Sequence, residues 1–127
     1  MLKWIKKIIH KCIVIANRLI YRFIPVDDHT ILFIAFHGRG YSDNPKAIHQ
    51  YMIQDERFKN YKFVWAIKNH KKKNIYIENA KIIEYFSFSY FYYLAHSKIW
   101  VVNCKLPGYV LKKENQIYLQ TWHGTPL

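Results

Sequence analysis

A chain of 127 residues with 51% hydrophobic and 18% aromatic side chains is one domain's worth of polypeptide with ample material for a core, which excludes a disordered chain and a whole multidomain enzyme. Twenty Lys and Arg against eight Asp and Glu leave a formal charge of +12, which predicts attraction to polyanions: nucleic acid, anionic lipid or phosphorylated substrates. The two cysteines, Cys12 and Cys104, show neither a CxxC pair nor metal-type spacing, so no disulfide framework and no metal site is expected, and both are read as reduced, buried thiols. A cytoplasmic compartment fits.

From Leu2 to Phe23 there is no proline or glycine, and apolar residues recur at Ile5, Ile8, Ile9, Cys12, Ile13, Ala16, Leu19, Ile20 and Phe23. That spacing predicts a helix. Lys3, Lys7, Lys11, Arg18 and Arg22 fall on the opposite side of the wheel, and no acidic residue precedes Asp27. The helix is therefore amphipathic and basic. Its charges leave no apolar run of about 18 residues to span a bilayer, and it lacks the uninterrupted core and cleavage site of a signal peptide. It is expected to lie on an anionic membrane surface, with its apolar stripe in the acyl boundary and Trp4 and the basic residues at the headgroups. The competing reading is a domain helix with a solvated basic face.

Pro25, Asp27 and Asp28 are expected to end that helix, and "TILFIAF" (Thr30 to Phe36) to form a strand buried on both faces, as in parallel sheets. A polar loop follows, then a helix with Pro45 in its first turn, Asp43 or Asn44 as its cap, and Ala47, Ile48, Tyr51 and Met52 on its apolar face. "YKFVWAIK" (Tyr61 to Lys68) predicts the second strand and "KNHKKKN" (Lys68 to Asn74) a basic loop. A short extended piece, Ala80 to Glu84, leads into a helix over Ser87 to Ser97 capped by Ser87 or Ser89. "KIWVVNC" (Lys98 to Cys104) is the next strand, "LPGYVLKKEN" a turn with a short helix, and "QIYLQTW" (Gln116 to Trp122) the last strand. Strands alternating with helices predict an α/β domain with a parallel sheet flanked by helices.

In open α/β sheets ligands bind at the carboxyl ends of the strands. By that rule His37, Arg39, Tyr41, Ser42, Asp43 and Asn44, after the first strand, face the same crevice as His123 and Thr125 after the last. The glycines of "HGRG" let backbone N–H groups approach a ligand, and Arg39 has the forked geometry for phosphate. A polar turn with a helix cap is the plainer reading. There is no GxGxxG and no GxxxxGK[ST], so nucleotide binding is not legible from those signatures. Nucleic acid is not an expected partner, because the basic residues concentrate on the first helix and one loop instead of interleaving with an aromatic platform.

"GRGYSDNPKAIHQYMIQDERFKNYKFVWAIKN" followed by "YFYYLAHSKIWVVNCKLPGYVLKKENQIYLQTWHGTPL" resembles the CDP-glycerol glycerophosphotransferase family, the teichoic acid primases and polymerases of Gram-positive bacteria. The motifs "GRGYSDNPKAI" and "YLQTWHGTPL" come in the family's order, and the resemblance covers about residues 30 to 127. It implies the amino-terminal half of a two-domain, GT-B-like fold: residues 1–25 a membrane-associating helix, 26–127 an acceptor-side Rossmann-like domain, with the carboxy-terminal donor domain absent. The implied reaction transfers glycerol phosphate from CDP-glycerol to a hydroxyl of a membrane-linked acceptor and releases CMP, with CDP-glycerol as donor substrate and no cofactor.

The family's functional histidine falls on His123, where neutral imidazole near pH 7 suits a general base. Gly124 is expected to let the backbone approach, Thr125 to hydrogen-bond a phosphate oxygen, Arg39 to bind acceptor phosphate, and Asp43, with Asn44 beside it, to orient a glycerol hydroxyl. The expected partners are anionic lipid and a lipid-linked glycerol phosphate acceptor, and the expected location is the cytoplasmic face of the membrane. The family's second catalytic histidine and its cytidine- and pyrophosphate-binding residues are expected beyond Leu127, so the chain alone is expected to be inactive. The alternative is a non-catalytic module that binds membrane or polyanion.

Overall fold

The computed structural model describes residues 2–122. Its elements are α1 (Leu2–Ile20), β1 (Asp27–Ile34), α2 (Asp43–Met52), β2 (Lys62–Ile67), α3 (His70–Lys73), β3 (Lys81–Glu84), α4 (Phe88–His96), β4 (Ser97–Val102) and β5 (Ile117–Gln120). The strands form one all-parallel sheet in the order β3-β2-β1-β4-β5. This is the expected α/β architecture, a parallel sheet flanked by helices and preceded by an amphipathic helix.

The chain moves outward from β1 to β2 and β3, then returns across the sheet to β4. Right-handed crossovers running in opposite directions must place their helices on opposite faces. One layer accordingly packs α2, through Met52, on Ile31, Phe33, Phe63, Trp65 and Val101; the other packs α4, through Tyr90, Phe91 and Leu94, on Leu32, Ile34, Val64, Ala66, Trp100 and Val102. β1 is central and covered on both faces, which is why Ile31 to Ala35 form an unbroken apolar run with almost no exposure.

Several local features depart from the sequence expectation. The first strand starts at Asp27, paired with Ser97 across an irregular register, and stops at Ile34, because Phe36 and His37 turn into the left-handed region (φ 48° and 54°). The residue before α2 is Ser42, not Asp43 or Asn44. The basic loop contains a single turn, α3, set between Asn69 and Asn74, both left-handed. Ser87 caps α4 as expected, its hydroxyl accepting the Tyr90 N–H at 3.2 Å.

No helix forms in "LPGYVLKKEN": Pro107 and Gly108 favour turns, and the Leu106 N–H is taken by the Tyr118 hydroxyl at 3.3 Å. The expected burial of the thiols is also corrected. Both are free, but Cys12 is exposed on the outer face of α1 and Cys104 is half-buried.

A buried amide joins α4 to the strands around it. The Gln116 side chain donates to the carbonyls of Leu94 (2.7 Å), Ala95 (3.2 Å) and Ser97 (2.8 Å), satisfying groups that a helix ending without a loop leaves unpaired. Lys113 reaches the carbonyls of Ala95 and Ile24, so the same corner also holds the end of the α1 segment.

Candidate functional site at the carboxyl edge of the sheet

The strand order reverses between β1 and β4, and the crevice at such a switch point is where open α/β sheets take ligands. Backbone strain collects on this edge. Among the described residues, positive φ outside glycine and asparagine occurs at Phe36, His37 and Asp43 after β1, Phe86 after β3, and Trp122 after β5. Each such conformation costs about 1–3 kcal/mol and persists only where surrounding contacts impose it.

At the switch point those contacts run through Asn103, which follows β4 and is fully buried. Its Oδ1 accepts the Phe36 N–H at 2.8 Å, and its Nδ2 donates to the Asp43 carboxylate at 2.9 Å. One amide therefore turns the chain out of β1 and fixes the start of α2. Sequence reasoning passed over Asn103; the available signal was a polar residue closing the apolar run "IWVVN".

Asn44 reaches further. Its Nδ2 donates to the carbonyls of Thr121 (3.4 Å) and Trp122 (3.3 Å), so the loop after β1 crosses the end of β4 and holds the two residues that lead into His123. The expected shared edge for the "GRGYSDN" loop and the end of the last strand is present. His123, Gly124 and Thr125 themselves lie outside the described residues.

Arg39 and His37 are exposed on the loop; the Arg39 carbonyl accepts from Lys73 Nζ at 2.8 Å, which ties the loop to α3. Gly38 has φ +90° and its carbonyl accepts the Lys68 N–H at 2.7 Å, while its Cα faces the Tyr85 ring. A Cβ there would lie 2.7 to 2.9 Å from Tyr85 atoms. A Cβ on Gly40 would meet nothing within 4 Å.

Tyr41 points inward and not to the crevice. Its ring packs edge-on against Trp65 at 4.7 Å and its hydroxyl lies 3.2 Å from Nδ1 of buried His49. The Trp65 indole N–H also points at that Nδ1, at 3.3 Å. Because indole only donates, Nδ1 is the acceptor and His49 is neutral with its proton on Nε2. Burial pushes the His49 pKa down to about 4, a backbone contact with Asn79 offsetting part of the effect.

The sign follows. Above pH 6.5 neither folded nor unfolded His49 is charged; below it the unfolded chain binds a proton that the folded core refuses, so stability falls as pH drops toward 4. Between pH 7 and 5 the loss is about 2 kcal/mol. Urea midpoints at the two pH values measure it, and His49→Leu removes most of the difference. An equal difference in the variant sinks the assignment.

Glu84 sits at the end of β3. Burial works against its charge, but the N–H groups of Asn69 (2.6 Å) and His70 (3.3 Å) and the His70 ring (3.0 Å) outweigh that and hold its carboxyl below the usual range. No group of three or more metal-ligating side chains occurs among the described residues.

On α1, the residues expected at a membrane, Lys3, Trp4, Lys7, Lys11 and Arg18, are all exposed, as is Arg22 in the short turn that follows. The helix meets the domain through His10, stacked on Phe86 at 4.7 Å, with Ile13 and buried Asn17. These lie on one flank of the apolar stripe. Most of the stripe stays uncovered, with Ile9 52%, Leu19 66% and, beyond the helix, Phe23 83% exposed. No described helix is long and apolar enough to cross a membrane.

Residues 15–127 match the family model for CDP-Glycerol:Poly(glycerophosphate) glycerophosphotransferase. The chain is similar to a teichoic acid poly(glycerol phosphate) polymerase of Staphylococcus epidermidis, at 42% identity over 102 residues, 80% of this chain and 14% of that protein. It is likewise similar to a teichoic acid glycerol-phosphate transferase of Staphylococcus aureus, at 33% identity over 123 residues, 97% of this chain and 30% of that protein. Among solved structures, a histidine-to-asparagine variant of the wall teichoic acid polymerase TagF, soaked with CDPG, superposes with a TM-score of 0.82 at 34% identity, over 98% of this chain and 31% of that one. The chain thus spans less than a third of the length of these relatives.

Proposed function

The chain belongs to the CDP-glycerol:poly(glycerophosphate) glycerophosphotransferase family, and from that premise we propose that it supplies the acceptor side of a transferase that adds glycerol phosphate from CDP-glycerol to a membrane-linked acceptor. The observation that carries this reading is the bond from Asn44 to the carbonyls of Thr121 and Trp122, which joins the two family motifs at one sheet edge. In the proposed reaction an acceptor hydroxyl oxygen attacks the β-phosphorus of the donor. The bond from that phosphorus to the bridging oxygen breaks, CMP leaves, and the hydroxyl proton passes to His123. Arg39 pairs with acceptor phosphate, which a planar guanidinium does bidentately. Asn103 and Asn44 act as positioning residues.

The test is a chimera in which this chain replaces the corresponding segment of the Staphylococcus aureus relative. Transfer of labelled glycerol phosphate to lipid-linked acceptor is expected. A folded chimera that binds donor and acceptor yet transfers nothing overturns the reading and favours the non-catalytic module.

The uncovered stripe of α1 supports peripheral docking on the cytoplasmic membrane face. α1 runs antiparallel to the strands, with its amino-terminal half toward the edge that carries the candidate site, since His10 meets Phe86 just after β3. Each basic residue near an anionic leaflet contributes about 1 kcal/mol. Reversing Lys3, Lys7 and Lys11 to Glu is expected to weaken sedimentation with phosphatidylglycerol vesicles by roughly 100-fold or more. Unchanged sedimentation rules the docking out.

A further inference from the structure

We propose that the lysine-lined groove beside the "GRG" loop, formed by α3, β3 and the start of α4, is a binding track for the body of an anionic phosphodiester polymer. It rests on the acceptor reading above and extends it from a terminal phosphate to several successive ones. The groove measures about 500 Å³ and is lined by Lys71, Lys72 and Lys81 with Ser89, and by Ser87, whose hydroxyl is held in the α4 cap. That volume lies within the range of ligand sites, about 300–1,000 Å³.

Three observations select an extended polyanion. First, the positive charge is uncompensated: among the described residues the ion pairs are Arg57–Asp55, His70–Glu84 and His96–Asp27, and none uses a lysine. Second, the acid lining the groove, Glu84, is already occupied by N–H donors from Asn69 and His70, so it neither neutralises Lys71 and Lys72 nor repels an incoming phosphate at full strength. Third, the track is continuous with the site. Lys73 donates to the carbonyl of Arg39, so α3 is held against the loop while the Arg39 guanidinium stays exposed.

A phosphodiester chain entering at Arg39 therefore meets further cations on one side of it. The chain is the favoured occupant over a flat membrane because the surface is concave and sets the Ser89 hydroxyl beside its amines, which suits phosphates joined by polyol units.

The test uses the full chain and fluorescently labelled glycerol phosphate oligomers of one, three and six units, titrated at stepped salt. Wild type is expected to bind more tightly with each added unit. Lys71→Gln with Lys72→Gln is expected to lose about tenfold for six units and little for one, with a shallower salt dependence. A pair of the same charge change at the opposite end of β2, Lys59→Gln with Lys62→Gln, is expected to behave as wild type. Equal losses for the two pairs, or no length dependence in wild type, overturn the track. A larger loss on phosphatidylglycerol vesicles than on oligomers overturns it in favour of a membrane surface. Transfer by the chimera without length dependence removes only the track; length dependence without transfer leaves the track and removes the transferase reading.

Discussion

Replacing His123 with alanine in the chimera is expected to lower transfer by about 10²- to 10⁴-fold, the range in which a positioned general base contributes. In the proposed reaction an acceptor hydroxyl is a poor nucleophile until its proton has somewhere to go, and a neutral imidazole would take that proton. The scaffold that leads into this residue is unusually constrained. Trp122, immediately before it, has φ 60°, and Asn44 bonds to the carbonyls of both Thr121 and Trp122. Such pinning fits a residue whose placement must hold to a fraction of an ångström for proton transfer. The comparison is made at saturating donor, with urea midpoint and vesicle sedimentation as controls. Wild-type transfer by a folded alanine variant removes His123 from the chemistry.

Gly38→Ala is expected to destabilise the domain by about 2–5 kcal/mol, a large share of the roughly 5–15 kcal/mol that holds a domain together. Two costs combine. At φ +90° an L side chain is strained whatever the space, and the new methyl would sit 2.9 Å or less from the Cβ, Cγ and Cδ1 of Tyr85. Tyr85 is not free to withdraw, because its ring packs on buried Tyr90 at 4.6 Å and lies under Lys68 Nζ at 5.1 Å. Gly40→Ala is the control: its methyl enters open space, and its urea midpoint is expected to stay close to wild type. Equal midpoints for the two variants would show that Gly38 is not pinned by Tyr85.

The two glycines of "GRG" thus have different origins, although they look alike as letters. Gly38 is required by the fold, through the ring of a residue 47 positions later in the chain. Gly40 has no such structural demand, since a Cβ there would meet nothing within 4 Å. The same division applies to the polar residues that follow. Tyr41 looked like a site residue by its neighbours, yet it closes the core over His49 and Trp65. Asp43 and Asn44 read both as helix caps and as site residues, and in the fold their side chains bond Asn103 and the carbonyls of Thr121 and Trp122.

What the amino-acid order determined alone was everything governed by period and local chemistry. The amphipathic first helix, the apolar runs of β1, β2 and β4, the Ser87 cap and the alternation that implies a parallel sheet all depend on residues within a few positions of one another. Bounds at the sheet's carboxyl edge did not, and neither did the roles of Asn103, Asn44 and Gly38, because their partners lie 47 to 78 residues away in sequence. Only the order β3-β2-β1-β4-β5 brings those partners together, by turning the chain back across β1 and laying the ends of β1, β4 and β5 along one crevice. A buried amide satisfies its donors and acceptors wherever the packed strands present them, and that choice is made by tertiary structure.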